Sequence, residues 1–441
     1  MQKAKQILHL ALPLILQQLC LQMQLWIDRA MLGHVNADFF AAIGNTSVPY
    51  HMVSSTITAV CGGTAIVVAQ GIGAKDLRRV RDAAGASLLG SGLLSGVTFL
   101  IFLLGCEGIL DLMGVARSIL DYSTTYLKIL SLSLLFLGPA ATATGILQGI
   151  GATGVIMATG IAGNLMNIVL DWVLIFGKLG FPALGIQGAA LATVTANGLS
   201  AVLTVCYLLR SKSIPFRIRL PRSGADAWQH YRQVLLLGAP SGLEYALWNV
   251  GNVMLVSFLN RWDGMAAGIY TLVFSVETVP LLIYMGFANA GLTLVGQETG
   301  ARSHKQARRT GLLCLGFSLA VCVIIGSVFY AFPRQLLGLF TDDGEILDTA
   351  VPYLMFVCWI LFPKAVNNVI GLCIRGMGDT RWMLLTQIFG TAFMIGAGYY
   401  LILYTGRGLF GIFLTLILDE AIRGCANLLR FLWPVKRSYS I

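Results

Sequence analysis

Long apolar runs, each close to the length that crosses a bilayer, recur along all 441 residues of this chain. A helix needs about 20 such residues to span the hydrocarbon core. Only 11% of the residues are charged and 56% are hydrophobic, whereas globular chains carry about 25% charge. The pattern excludes an ordinary soluble protein and predicts an all-α polytopic membrane protein. Twelve spans are expected, over 10–33, 47–72, 83–105, 119–143, 154–177, 186–209, 233–259, 267–296, 310–332, 347–371, 381–404 and 409–432. Nothing in the first run looks like a cleavage site, so it is expected to stay as a span.

The formal charge of +10 invites a nucleic-acid reading, but its distribution points elsewhere. Of the 30 Lys and Arg, 20 fall in the two tails and the even-numbered loops, against five in the odd-numbered loops (Arg117, Lys178, Arg261, Arg334 and Arg407). Basic loops stay in the cytoplasm. Both termini are therefore expected there, in a multi-pass plasma (inner) membrane protein whose partners are the bilayer and a small molecule, with no nucleic acid.

The chain repeats itself at an offset of 227 residues. Pro13 falls on Pro240, AQGIGAKD (69–76) on GQETGARS (296–303), ILDYSTTYL (119–127) on ILDTAVPYL (346–354), and QGIGATG (148–154) on RGMGDTR (375–381). Past residue 153 the offset shortens to 223, so that LGIQG (184–188) meets GLFG (408–411). Each copy holds six spans and enters the membrane in the same direction, a parallel repeat of the kind that binds substrate between its halves. The expected domains are an amino-terminal lobe at 1–210, a basic linker at 211–232 and a carboxy-terminal lobe at 233–441. The linker holds Pro215 and Pro221, and its basic residues suit anionic lipid heads. The two Gly-rich loops read as tight turns, because no strand precedes them as a phosphate loop requires.

Acids inside a membrane normally face a cavity or a partner. Gln17, Gln24 and Asp28 share one face of the first span, and Asn164, Asn167 and Asp171 share one face of the fifth. Thr193 and Asn197 lie four apart on the sixth. Two carboxylates brought together in a low dielectric cannot both stay ionised without a counter-charge, so the set suits a proton or a sodium ion. Hydrogen bonding between helices is the plainer use of the amides and hydroxyls. Asp28 falls on Leu255 and Asp171 on Gly398, so neither acid recurs in the second half. That half has Glu244 and Trp248, Glu277 and Lys364, which either pair internally or line a cavity for cations, with Trp248 offering an aromatic face. Asp419 and Arg423, four apart, read as an internal pair. Nine scattered cysteines and five dispersed histidines show no disulfide or metal spacing, and no catalytic constellation is present. Neither an enzyme nor a resident cofactor or metal is expected.

LPLIL…WIDRAMLG in the first span, NxxNIVLD in the fifth, GAALATV in the sixth and RGMGDTR after the tenth resemble the multidrug and toxic compound extrusion (MATE) family, in its DinF-like prokaryotic branch. The likeness covers nearly the whole chain. It implies a MATE/MOP-type fold of two pseudo-symmetric six-helix lobes, and a monomeric antiporter that exports organic cations or amphipathic compounds in exchange for protons or sodium. It also implies that Asp28, Asn167, Asp171 and Thr193 form the amino-lobe cation site. Gln24, Asn164, Asn197, Glu244, Trp248, Glu277 and Lys364 are then candidates for the substrate cavity, and Pro13 for a helix bend. Lys364 stands where the sodium-coupled branch has a carboxylate, which favours amino-lobe coupling with protons. Two alternatives stay open, a lipid-linked precursor flippase of the same superfamily and a non-transporting receptor or assembly protein.

Overall fold

The computed structural model of the protein describes residues 2–33 and 37–433; Lys436 and Arg437, which enter the charge tally, lie outside them. The described residues are helical almost throughout and contain no strand. In the first repeat the helices are α1 (Gln2–Gly33), α2 (Ala37–Cys61), α3 (Gly63–Gly73), α4 (Leu77–Leu112), α5 (Arg117–Ile150), α6 (Thr153–Phe176) and α7 (Ile186–Arg210). The second has α8 (Gly224–Trp262), α9 (Gly264–Gly300), α10 (His304–Ala331), the short α11 (Pro333–Leu337), α12 (Gly344–Gly376), α13 (Thr380–Gly398) and α14 (Gly408–Leu432). Twelve long segments result among the described residues when α2 and α3 are joined across Gly62.

Among the described residues, ten helical segments are long and apolar enough to cross a membrane by length and composition. The two that fall short, α8 and α14, carry Glu244 and the Asp419–Glu420–Arg423 cluster, all of them buried. Several helices outrun the hydropathy boundaries. α12 continues to Gly376, five residues past its expected end, and takes Arg375 with it. Burial of an apolar face sustains a helix beyond the point where average hydropathy falls.

The helices form two compact units. One is Leu16–Gly242; the other joins α1 up to Ile15 to everything from Leu243 onward. Both cuts fall inside a helix, two residues after Pro13 and Pro240, and they are related by the repeat offset. Relative to a division at the linker, each unit exchanges its leading half-helix for that of the other repeat. Close backbone approach explains the exchange. A Cβ on Gly238 would lie 1.9 Å from the Val60 carbonyl oxygen, and one on Gly63 would lie 2.4 Å from that of Val234. The opening of α8 is thereby seated on α2 and α3 within the first unit. In the second unit Ile15 packs on Gly286 of α9, and Lys3 reaches the Glu298 carboxylate at 2.6 Å.

The duplication is written into the backbone as well. Lys75 and Arg302 both take left-handed φ (59° and 57°), as do Gly151 and Gly378 (87° and 91°) and Gly185 and Gly408 (54° and 49°). The Gly-rich loops are tight turns, closed by the Ala152 amide on the Leu147 carbonyl (2.8 Å) and the Asp379 amide on that of Ile374 (3.2 Å). A wide π-type turn at Tyr399–Tyr404 continues α13 in the region where the offset shortens.

Candidate functional site

Within the unit Leu16–Gly242, the polar faces of α1 and α6 meet. The Gln24 amide donates to the Asn167 side-chain oxygen, and more weakly to Asp28 Oδ2 at 3.4 Å. With its amide turned to satisfy both neighbours, Asn164 donates to Gln24 Oε1 (2.8 Å) and to the Gly160 carbonyl (3.2 Å), and accepts from the Leu21 amide (3.1 Å). Three of the candidates on these faces are nearly closed off, with relative exposures of 7% for Gln24, 0% for Asn167 and 1% for Asp171. The Asp28 and Asp171 carboxyls lie within interaction range of each other. Asp28 Oδ1, both Asp171 oxygens and Asn167 Nδ2 find no hydrogen-bond partner among the described residues. A buried carboxylate left without partners costs several kcal/mol unless neutralised. The arrangement is fitted to hold one positive charge, as a proton or as a cation shared between the acids.

Two other candidates sit apart from this cluster. Thr193 is half-buried on α7 and its hydroxyl is bonded to the Ala189 carbonyl (3.0 Å), with no hydrogen bond to either carboxyl. Asn197 is exposed. Tyr126 of α5 was not a candidate, yet it is buried beside Ile175 and Ala190 and lies within electrostatic reach of Asp171 and Asp28. Its only signal in the chain is that the repeat places Tyr353 opposite it.

The other unit resolves its charges into pairs. Lys364 donates to Glu277 Oε1 at 2.6 Å. Glu244 pairs with Arg375 at 2.7 Å, a partner that hydropathy had assigned to a loop. Arg423 clasps Asp419 through Nε and Nη2 (2.6–3.1 Å) and donates from Nη1 to Gln387 (2.7 Å). Asn367 donates to Glu420 and accepts from Asn427, both at 2.7 Å, and Trp382 donates to Asn427 at 2.9 Å. Beside this network α8 and α9 flank an open cavity of about 490 Å³, lined by Trp248, Asn252, Val256, Tyr270, Thr271 and Phe274 among others. No formal charge lines it, and the nearest cation recorded against its walls is Lys364, 5.5 Å from the centre of the Phe274 ring.

The MatE family profile matches this chain twice, over residues 13–173 and 240–400. The chain belongs to the MatE family. Each match begins at one of the paired prolines, so the family unit and the internal repeat coincide. Over 97% of its length the chain is 25% identical to the Thermotoga maritima protein named "Probable multidrug resistance protein NorM", of which 92% is covered. It shares its fold with a solved structure described as the outward-facing conformation of a multidrug resistance MATE family transporter of the MOP superfamily, at a TM-score of 0.90 and 21% identity (97% of this chain, 95% of that one). A MATE crystal structure in the bent conformation superposes at 0.89, with 20% identity and 97% and 94% of the two chains covered. The MatE chain described here is thus a multi-pass helical membrane protein of a transporter family.

Proposed function

We propose that this MatE protein is a proton-coupled antiporter of the plasma (inner) membrane, a monomer with both termini in the cytoplasm, that expels cationic and other amphipathic small molecules by alternating access. One observation carries the choice of coupling site. Asp28 and Asp171 are brought together in one unit with three carboxylate oxygens bare and no cation beside them among the described residues, while each buried acid of the other unit has a cationic partner among Lys3, Lys364, Arg375 and Arg423. A proton arriving at Asp28 or Asp171 removes the repulsion between them. Gln24 bonds to both Asp28 and Asn167, so α1 feels the change directly. Pro13 lacks the amide that would stiffen the same helix, and a relative of this fold is described in a bent conformation. The mostly apolar aromatic cavity beside Trp248 suits the flat, greasy portion of an amphipathic substrate.

The test is flux of a fluorescent organic cation into proteoliposomes, driven separately by a proton gradient and by a sodium gradient. Proton-driven flux that Asp28→Asn abolishes is the expected result. Flux under sodium alone assigns the same oxygens to Na⁺. Flux that is indifferent to Asp28→Asn and Asp171→Asn removes the coupling role from this pair.

A further inference from the structure

Away from the acid pair, the unit Leu16–Gly242 has a polar surface pocket of about 170 Å³. Three segments wall it. Arg78, Arg81 and Asp82 come from the start of α4, Arg219 to Arg222 from the linker, and Asp226 and His230 from the start of α8. The linker is seated here rather than draped. A Cβ on Gly85 would fall 1.9 Å from the Arg219 carbonyl oxygen, and one on Gly90 would strike the Tyr231 ring at 2.4 Å. Only glycine at those α4 positions lets the linker and α8 approach closely enough to close the walls.

Four arginines and a histidine line this pocket together with two aspartates, and Arg78, Arg219 and Arg222 are exposed. Arg81 is paired with its neighbour Asp82 at 2.9 Å, and His230 Nε2 lies 3.4 Å from Asp226 Oδ1. No carboxylate lies at salt-bridge distance from Arg78, Arg219 or Arg222 among the described residues. The formal balance of the lining is +2 with His230 neutral. Several arginines on one pocket match the several oxygens of a phosphate group better than a single carboxylate, because each fork offers parallel donors.

We propose that this cavity is a binding site for a phosphate group, supplied either by the headgroup of an anionic phospholipid or by a free phosphate anion. A bound phosphate would bridge α4, the linker and α8 and neutralise the unpaired arginines. The linker is the segment that joins the two repeats, so occupancy would hold it in its seated position.

The experiment uses the full-length protein in nanodiscs and in detergent. Retention of phosphatidylglycerol against phosphatidylcholine is counted by native mass spectrometry, and inorganic phosphate and pyrophosphate are titrated calorimetrically in phosphatidylcholine nanodiscs. A lipid source predicts phosphatidylglycerol retained in preference to phosphatidylcholine, with free phosphate silent. A free-anion source predicts saturable phosphate or pyrophosphate binding without lipid preference. In either case Arg219→Gln/Arg222→Gln weakens binding at least tenfold, Asp226→Asn strengthens it, and Lys212→Gln/Arg217→Gln, which removes the same charge outside the cavity, leaves it unchanged. The gain at Asp226→Asn cannot come from misfolding. Equal loss in the two double variants, or no preference and no binding in the wild type, overturns the proposal.

Discussion

Lys364 and Glu277 meet at 2.6 Å with both side chains buried, joining α12 to α9. A buried pair contributes little net stability while intact, but removing one partner strands the other. Lys364→Met should therefore cost about 3–5 kcal/mol, and Lys364→Met/Glu277→Leu should recover most of it. Thermal unfolding of the purified variants checks this; a double variant no better than the single would mean that the two residues are not coupled.

Gln24 connects Asn167 and Asp28 through one amide. Gln24→Leu leaves both acceptors without that donor, at a cost of about 1–3 kcal/mol. Gradient-driven transport should fall about tenfold, since 1.4 kcal/mol corresponds to a factor of ten. Gln24→Glu, which adds a third acid to the cluster, should move the pH dependence of flux, whereas Gln24→Leu should mainly lower its amplitude.

Gly238 and Gly224 lie on the same helix in opposite circumstances. A Cβ at Gly238 meets the Val60 carbonyl at 1.9 Å, while one at Gly224 meets nothing within 4 Å. Gly238→Ala should lower stability by about 1–3 kcal/mol, and Gly224→Ala should be neutral or slightly stabilising. Comparing the two thermal midpoints isolates the helix seat on α2 and α3 from any general intolerance of α8.

Trp248 and Phe274 line a cavity whose nearby charge is already paired. Affinity there should depend on aromatic contact more than on ligand charge. Trp248→Ala is expected to weaken a cationic dye and a neutral dye of similar size by comparable factors, about tenfold each. A loss confined to the cationic dye in equilibrium binding would show instead that charge is read at this wall.

Much of this architecture is legible along the chain, because repeats and helical faces are one-dimensional patterns. The repeat offsets relate the paired left-handed turns, and spacings of three, four and seven place Asn164, Asn167 and Asp171 on one face. Pairings across distant helices leave no such trace. Arg375 sits past the end of its hydropathy peak, so it reads as a loop charge, although α12 carries it inward to Glu244. Tyr126 is hidden for the opposite reason. An aromatic residue in an apolar helix looks like packing, and only the folded arrangement brings it near two acids. Thr193 shares its helical face with Asn197, but its hydroxyl is already committed to the Ala189 carbonyl.

The exchange of leading half-helices has a consequence for biosynthesis. By the time Gly242 has been made, every part of the unit Leu16–Gly242 is present. The turns of α1 before Ile15 still lack their partner face at Gly286. At bacterial or eukaryotic elongation rates they wait on the order of ten seconds or more for the rest of their unit. A nascent chain stopped in the linker would therefore contain neither unit whole, since α8 has not yet supplied its opening turns to the first and α1 has nothing to seat against in the second. The first residues to enter the membrane are among the last to find their place.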